Sequence, residues 1–254
     1  MCFDPDSRPP IEPIAGGALD AHEVVLEAAD GNRFGAYIAH AAQPGGAGIV
    51  ILPDVRGLHA YYRELALRFA EHGVDAVALD YFGRTAGIGD RGPSFDYGPH
   101  VGHATFDGLR ADAVAATALL RQETPAKHVF SIGFCMGGRL ALLSAGFGLD
   151  LAGVIAFYGW PTGPSRNGTP APVDVMDTLK SPVLAIFGGA DEGISAETVA
   201  TLDSALKGAG IEHIVRTYPG APHSFFDRKA DQFADASAAA WDETLAFIRS
   251  HAAS

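Results

Sequence analysis

Basic charge is scarce in this 254-residue chain: 18 lysines and arginines stand against 30 aspartates and glutamates, a formal net charge of −12. Such a surface repels phosphate backbones and anionic membrane faces, which argues against nucleic acid and membrane partners. An anionic substrate would need a focused patch of positive charge. Cysteine is scarcer still, with only Cys2 and Cys135. Two thiols, one of them in a terminal tail, do not make a disulfide framework. No apolar run approaches the length that spans a bilayer. Residues 1–20 lack the charged start and apolar stretch of a secretory leader. A cytoplasmic, soluble protein is the expectation. No internal repeat is visible, and Gly133 to Gly138 lacks the G-x-G-x-x-G fingerprint of a dinucleotide site. No cofactor and no metal are expected.

What is present is apolar: 48% of the residues are hydrophobic, enough for a large core in a single domain. Residues 1–20 read as an extended, Pro- and Gly-containing arm, and residues 21–254 as one α/β domain. Two alternating segments flank Asp30-Gly31-Asn32 and read as a hairpin. The continuous apolar run Gly48-Ile49-Val50-Ile51-Leu52 reads as a buried parallel strand. Tyr62, Leu65, Ala66 and Phe69 then recur at helical spacing, with Gly73 as the stop. Further strands are expected at residues 74–79, 128–132, 154–158, 183–187 and 214–218. Helices are expected at 109–122, from Arg139, after Ser195, and around Trp241, Leu245 and Ile248. Residues 80–105 and 159–171 show no period and read as long loops, which in compact domains often carry function. Alternation of strand and helix implies a mostly parallel sheet of about seven or eight strands with helices on both faces. Chemistry in such sheets gathers at the carboxyl ends of the strands.

The stretch Gly133-Phe134-Cys135-Met136-Gly137-Gly138 lies between an apolar strand and a helix opening. That is the context of a nucleophile elbow, with Cys in place of the usual Ser. The glycines fit, because a side chain at Gly133 or Gly137 would strike the neighbouring strand or helix in so tight a turn. The helix N-terminus would favour a thiolate. Taken alone, the motif fits a buried structural Cys equally well. Asp191, read alone, fits a turn residue, and His223 a loop histidine. Together they follow the order nucleophile, acid, histidine at three strand ends, which is the order of a hydrolase triad.

With those residues in view, the chain resembles the dienelactone hydrolase family of the α/β-hydrolases from Ile49 to the final helix. The resemblance is carried by Leu52-Pro53-Asp54-Val55-Arg56-Gly57-Leu58, Asp80-Tyr81-Phe82-Gly83-Arg84, the Cys135 elbow, Phe157-Tyr158-Gly159 and Gly220-Ala221-Pro222-His223-Ser224-Phe225. It implies the α/β-hydrolase fold. It also implies a Cys135 nucleophile, a His223 base, an Asp191 orienter, and an oxyanion hole from the N–H groups of Val55 and Met136. Asp54 would contact the resting thiol, although the family has Glu there. Arg84 matches a carboxylate-binding Arg. Arg56 replaces an aromatic residue, and Asp227 stands where the family has a second carboxylate-binding Arg. The expected substrate is a small ester or lactone, with Arg84, Arg56 and Tyr158 as its contacts, cleaved through a thioester; the two arginines read alternatively as surface residues paired with Asp80 or Asp90, and Tyr158 and Trp160 fit core packing as well as pocket lining. A broad carboxylesterase or thioesterase with the same triad is the alternative. A non-catalytic binding or thiol-sensing protein is the rival from another class. The expected assembly is a monomer or homodimer. His100 and His103 lack a third ligand type at metal-binding spacing and read as solvated loop residues.

Overall fold

A computed structural model describes residues 3–253. Its centre is an eight-stranded sheet in the order β1-β2-β4-β3-β5-β6-β7-β8. The hairpin β1 (Ala18–Glu27) and β2 (Arg33–Ala41) turns at Asp30-Gly31-Asn32 and joins the sheet antiparallel, through β2 on β4 (Val74–Leu79). All other pairings are parallel: β3 (Ala47–Leu52) on β4 and on β5 (His128–Phe134), then β6 (Gly153–Phe157), β7 (Val183–Gly188) and β8 (His213–Tyr218). Strands β3, β4, β6 and β7 are buried at every residue, as their unbroken apolar runs require when both faces are covered.

The covering helices are α1 (Ala60–Glu71), α4 (Phe106–Glu123), α5 (Met136–Ser144), α6 (Ala196–Gly208) and α7 (Ala234–Ala252). Helix α1 buries Tyr62, Leu65, Ala66 and Phe69, the stripe legible in the sequence, and adds Tyr61. The start of α6 is capped by Ser195, whose side chain accepts from the Thr198 N–H at 3.2 Å. Residues 80–105 are less irregular than their sequence suggests. They contain the short helices α2 (Gly83–Ala86) and α3 (Gly98–Val101). Each is a single turn, too short to show an apolar period.

The segment before β1 does not stand away from the domain. Phe3 and Ile11 belong to the buried core. Cys2 lies outside the described residues.

Helix α5 positions the site. Eight of its nine residues are buried, and it follows β5 without a loop. Glycine makes that approach possible: a Cβ on Gly133 would lie 1.9 Å from the Gly137 carbonyl oxygen, and one on Gly137 would lie 2.0 Å from that of Leu52. A hydroxyl pair, Ser131 Oγ to Ser144 Oγ at 2.7 Å, ties the far end of α5 back to β5.

Candidate active site

Cys135 occupies the single residue between β5 and α5, at φ 56° and ψ −112°. A non-glycine residue in this region is strained, and the packing of β5 against α5 holds it there. Met136 is the first residue of α5, so its N–H has no acceptor within the helix. The turn after β3 brings Val55 to the same place. Cys135, Met136, Val55 and Arg56 line one cavity of about 600 Å³. The start of α5 and the turn after β3 thus both border the cavity that holds Cys135.

His223 and Asp191 arrive from the ends of β8 and β7. His223 Nδ1 lies 2.6 Å from Asp191 Oδ2, and both side chains are buried. The other Asp191 oxygen accepts from the N–H groups of Gly193 at 2.8 Å and Ile194 at 3.2 Å. Burial acts to raise the Asp191 carboxyl, but the hydrogen bond and charge of His223 and these two N–H groups outweigh it and hold the pKa below the usual value. Asp191 is therefore ionised, and Nδ1 of His223 is the donor. Burial acts to lower His223. Hydrogen bonds to Asp191 and to Cys135 outweigh burial and push it up to about 9. The histidine ring is packed between Tyr158, at 4.9 Å, and Trp160, at 4.6 Å. Trp160 is fixed in turn by its Nε1–H, which donates to the Gly193 carbonyl at 3.0 Å.

Asp54 is 1% exposed. Its N–H donates to the Tyr62 hydroxyl at 2.8 Å, and its Oδ1 accepts from the Arg56 N–H at 2.9 Å. His59 Nε2 lies 3.7 Å from Oδ1, and Oδ2 has no hydrogen-bond partner among the described residues. The carboxylate thus braces the turn that carries Val55.

Two of the expected substrate contacts do not line this cavity. Arg84 lies on α2 and is engaged elsewhere. Its guanidinium pairs with Asp30 and with Asp112 at 2.8 Å, and also donates to the Gly108 carbonyl. The buried Asp112 carboxylate, which also accepts from Asn32 Nδ2 at 3.0 Å, draws the arginine toward α4 and the hairpin turn. Tyr158 is wholly buried behind His223 and does not line the cavity, whereas Trp160 does. Arg56 is at the cavity, with its Nη1 donating to the Phe3 carbonyl at 2.6 Å.

Arg139, three residues into α5, was not singled out from sequence. Its five N–H groups go to five main-chain carbonyls, those of Trp160, Thr162, Gly163, Thr169 and Pro170, at 2.8–3.3 Å. Burial lowers its pKa. The signal was available as a lone Arg beside the apolar run Leu140-Ala141-Leu142-Leu143, where an unsatisfied guanidinium would be costly. His100 stacks on Phe95 at 5.3 Å, and His103 Nδ1 lies 2.8 Å from the Pro99 carbonyl. No cluster of three or more metal-ligating side chains occurs among the described residues. No helix there is long and apolar enough to cross a membrane.

The model of the dienelactone hydrolase family matches residues 34–252. The "Putative carboxymethylenebutenolidase" of Salmonella typhimurium is 31% identical over 202 residues, covering 77% of this chain and 74% of its own length. The "Carboxymethylenebutenolidase" of Rhodococcus opacus is 28% identical over 268 residues, covering 98% and 96%. Among solved structures, a "Putative Dienelactone Hydrolase" from Klebsiella pneumoniae superposes with a TM-score of 0.76 at 26% identity, covering 91% of this chain and 99% of that one.

Proposed function

The chain belongs to the dienelactone hydrolase family and is a hydrolase of ester or lactone bonds; from that premise we propose that it works through a Cys135 thioester, with His223 as acid and base and Asp191 as its orienter. The observation that carries this reading is the 2.6 Å His223–Asp191 contact placed against the strained Cys135 turn. His223, raised to about 9, is protonated at neutral pH, and an imidazolium beside the sulfur favours the thiolate form of the nucleophile. The thiolate attacks the acyl carbon and a C–S bond forms. The oxyanion is received by the N–H groups of Val55 and Met136, where each such donor is worth roughly 3–4 kcal/mol. The imidazolium gives its Nε2 proton to the departing oxygen as the C–O bond breaks, and in a lactone that alcohol stays tethered to the acyl group. Neutral His223 then takes a proton from water as the hydroxide adds to the thioester. Collapse releases the acid and restores thiolate and imidazolium.

Arg56 is the proposed contact for a carboxylate on the substrate. It is the cation beside Val55, and no carboxylate lies within ion-pair distance of it among the described residues. We further propose that the substrate is a small molecule hydrolysed in the cytoplasm, in keeping with the net charge of −12.

Cys135→Ala is expected to reduce kcat/KM for p-nitrophenyl acetate at least ~10³-fold with its melting temperature retained. Mass spectrometry of quenched wild-type enzyme should find the acyl group on Cys135. A Cys135→Ala protein with near wild-type turnover would sink the mechanism.

A further inference from the structure

The segment before β1 packs against the cavity that holds Cys135. Phe3 is 2% exposed. Its ring stacks on Tyr61 at 4.0 Å and meets Phe134, the residue before the nucleophile, at 6.1 Å. It also meets Tyr158, the ring behind His223, at 6.4 Å. The Phe3 carbonyl takes the Arg56 guanidinium, next in the chain to Val55. Phe3 and Asp4 both line the cavity that holds Cys135.

The same segment is fastened on its other side to the loop that follows His223. Ser7 Oγ donates to Asp227 Oδ2 at 2.6 Å, and the Arg228 N–H donates to the Arg8 carbonyl at 3.2 Å. Lys229 Nζ pairs with Asp6 and, at 3.5 Å, with Asp4. Tyr61, the ring beneath Phe3, donates its hydroxyl to the Phe226 carbonyl at 2.7 Å. Residues 3–8 therefore bridge the turn that offers the oxyanion N–H and the loop that carries the histidine. A segment serving only to tether the chain would have no reason to bury its one aromatic ring beside the nucleophile.

We propose that Phe3 is a specificity-determining residue, the wall that limits the size of the acyl group seated beside Cys135. The assignment to the acyl side rests on the Cys135 reading given above and on direction. The leaving group must face the His223 proton that it receives, so the acyl substituent takes another side of the sulfur, and Phe3 is tied through its carbonyl to the Val55–Arg56 turn that lines the same cavity. Shortening the ring opens space there and leaves the leaving-group side as it was.

The experiment uses two substrate series with the full-length protein. One holds p-nitrophenol constant and lengthens the acyl group from acetyl to octanoyl. The other holds acetyl constant and enlarges the phenol. Phe3→Ala is expected to raise the octanoyl-to-acetyl ratio of kcat/KM about tenfold, the scale on which an apolar pocket discriminates size, and to leave the phenol series flat. Phe3→Leu should fall between, and it carries the test if Phe3→Ala does not fold. An unchanged acyl ratio in a folded variant overturns the proposal, as does a shift confined to the phenol series. Cys135→Ala is assayed in parallel. If it is inactive and the acyl ratio is flat, only the role of Phe3 falls. If it keeps hydrolysing, the nucleophile reading falls and the acyl wall with it.

Discussion

On the hairpin side of the sheet, Arg84 is boxed by Asp30 and Asp112, and Arg91 by Asp80 at 2.8 Å. At the cavity, Arg139 and Arg56 are held by main-chain carbonyls, and no carboxylate lies within ion-pair distance of either among the described residues. The two regions hold guanidinium with different partners and differ in what remains. A carboxylate cancels the charge it bonds, whereas a carbonyl dipole satisfies the N–H and leaves the net charge in place. In a molecule of −12 overall, the cavity is thus a place where positive charge persists. A cation is open to substrate according to what surrounds it, and a matching sequence position does not decide that.

The comparison breaks hardest at Arg84. Arg84→Met strands Asp112, which is wholly buried, with Asn32 as its remaining side-chain partner. Removing one member of such a pair costs about 3–5 kcal/mol. Urea unfolding should show that loss, while the kcat/KM ratio of an anionic ester to its neutral methyl ester stays at the wild-type value. A fall in that ratio would return Arg84 to the substrate.

A smaller effect, roughly 3 kcal/mol, is expected from the charge on His223, a cation held by anions within the site itself. Its pKa is raised from 6.5 to about 9, so the protonated form is favoured by folding. The stabilisation is full below pH 6.5 and is lost as pH rises from there through about 9. The stability difference between wild type and His223→Gln, measured by denaturant titration, should shrink across that window. A difference constant from pH 6 to pH 10 would contradict it.

The smallest effect sharpens the cavity side. A hydrogen bond to a charged group is worth roughly 1.5–3 kcal/mol, so Arg56→Ala should lower kcat/KM for the anionic ester about tenfold and leave the neutral analogue nearly unchanged. Equal losses on both would assign Arg56 to holding the Phe3 carbonyl alone.

Strands β3 and β4 and the apolar stripe of α1 were legible because their signal is local: a continuous apolar run, or a helical period, reports burial directly. The elbow glycines were legible for the same reason, as the close approach of β5 and α5 leaves no room for a Cβ. The partners of Arg84 are not legible in sequence, because Asp112 and Asp30 lie 28 and 54 residues away and no local pattern shows which acid reaches it. Tyr158 sits at a strand end, where a side chain can join either the cavity or the core; its ring is wholly buried, and Trp160, two residues on, is the one that lines the cavity. Phe3 was hidden by its setting, since one ring among Asp and Pro residues carries no period.

Arg139 joins a wall of the cavity to the elbow helix. Its five acceptors come from residues 160–170, a segment with no helix or strand to shape it, and they converge on one guanidinium. Trp160, Ser165 and Thr169 of that segment also line the cavity, so the wall facing Cys135 hangs from the same helix that carries the elbow, and whatever shifts α5 shifts that wall with it.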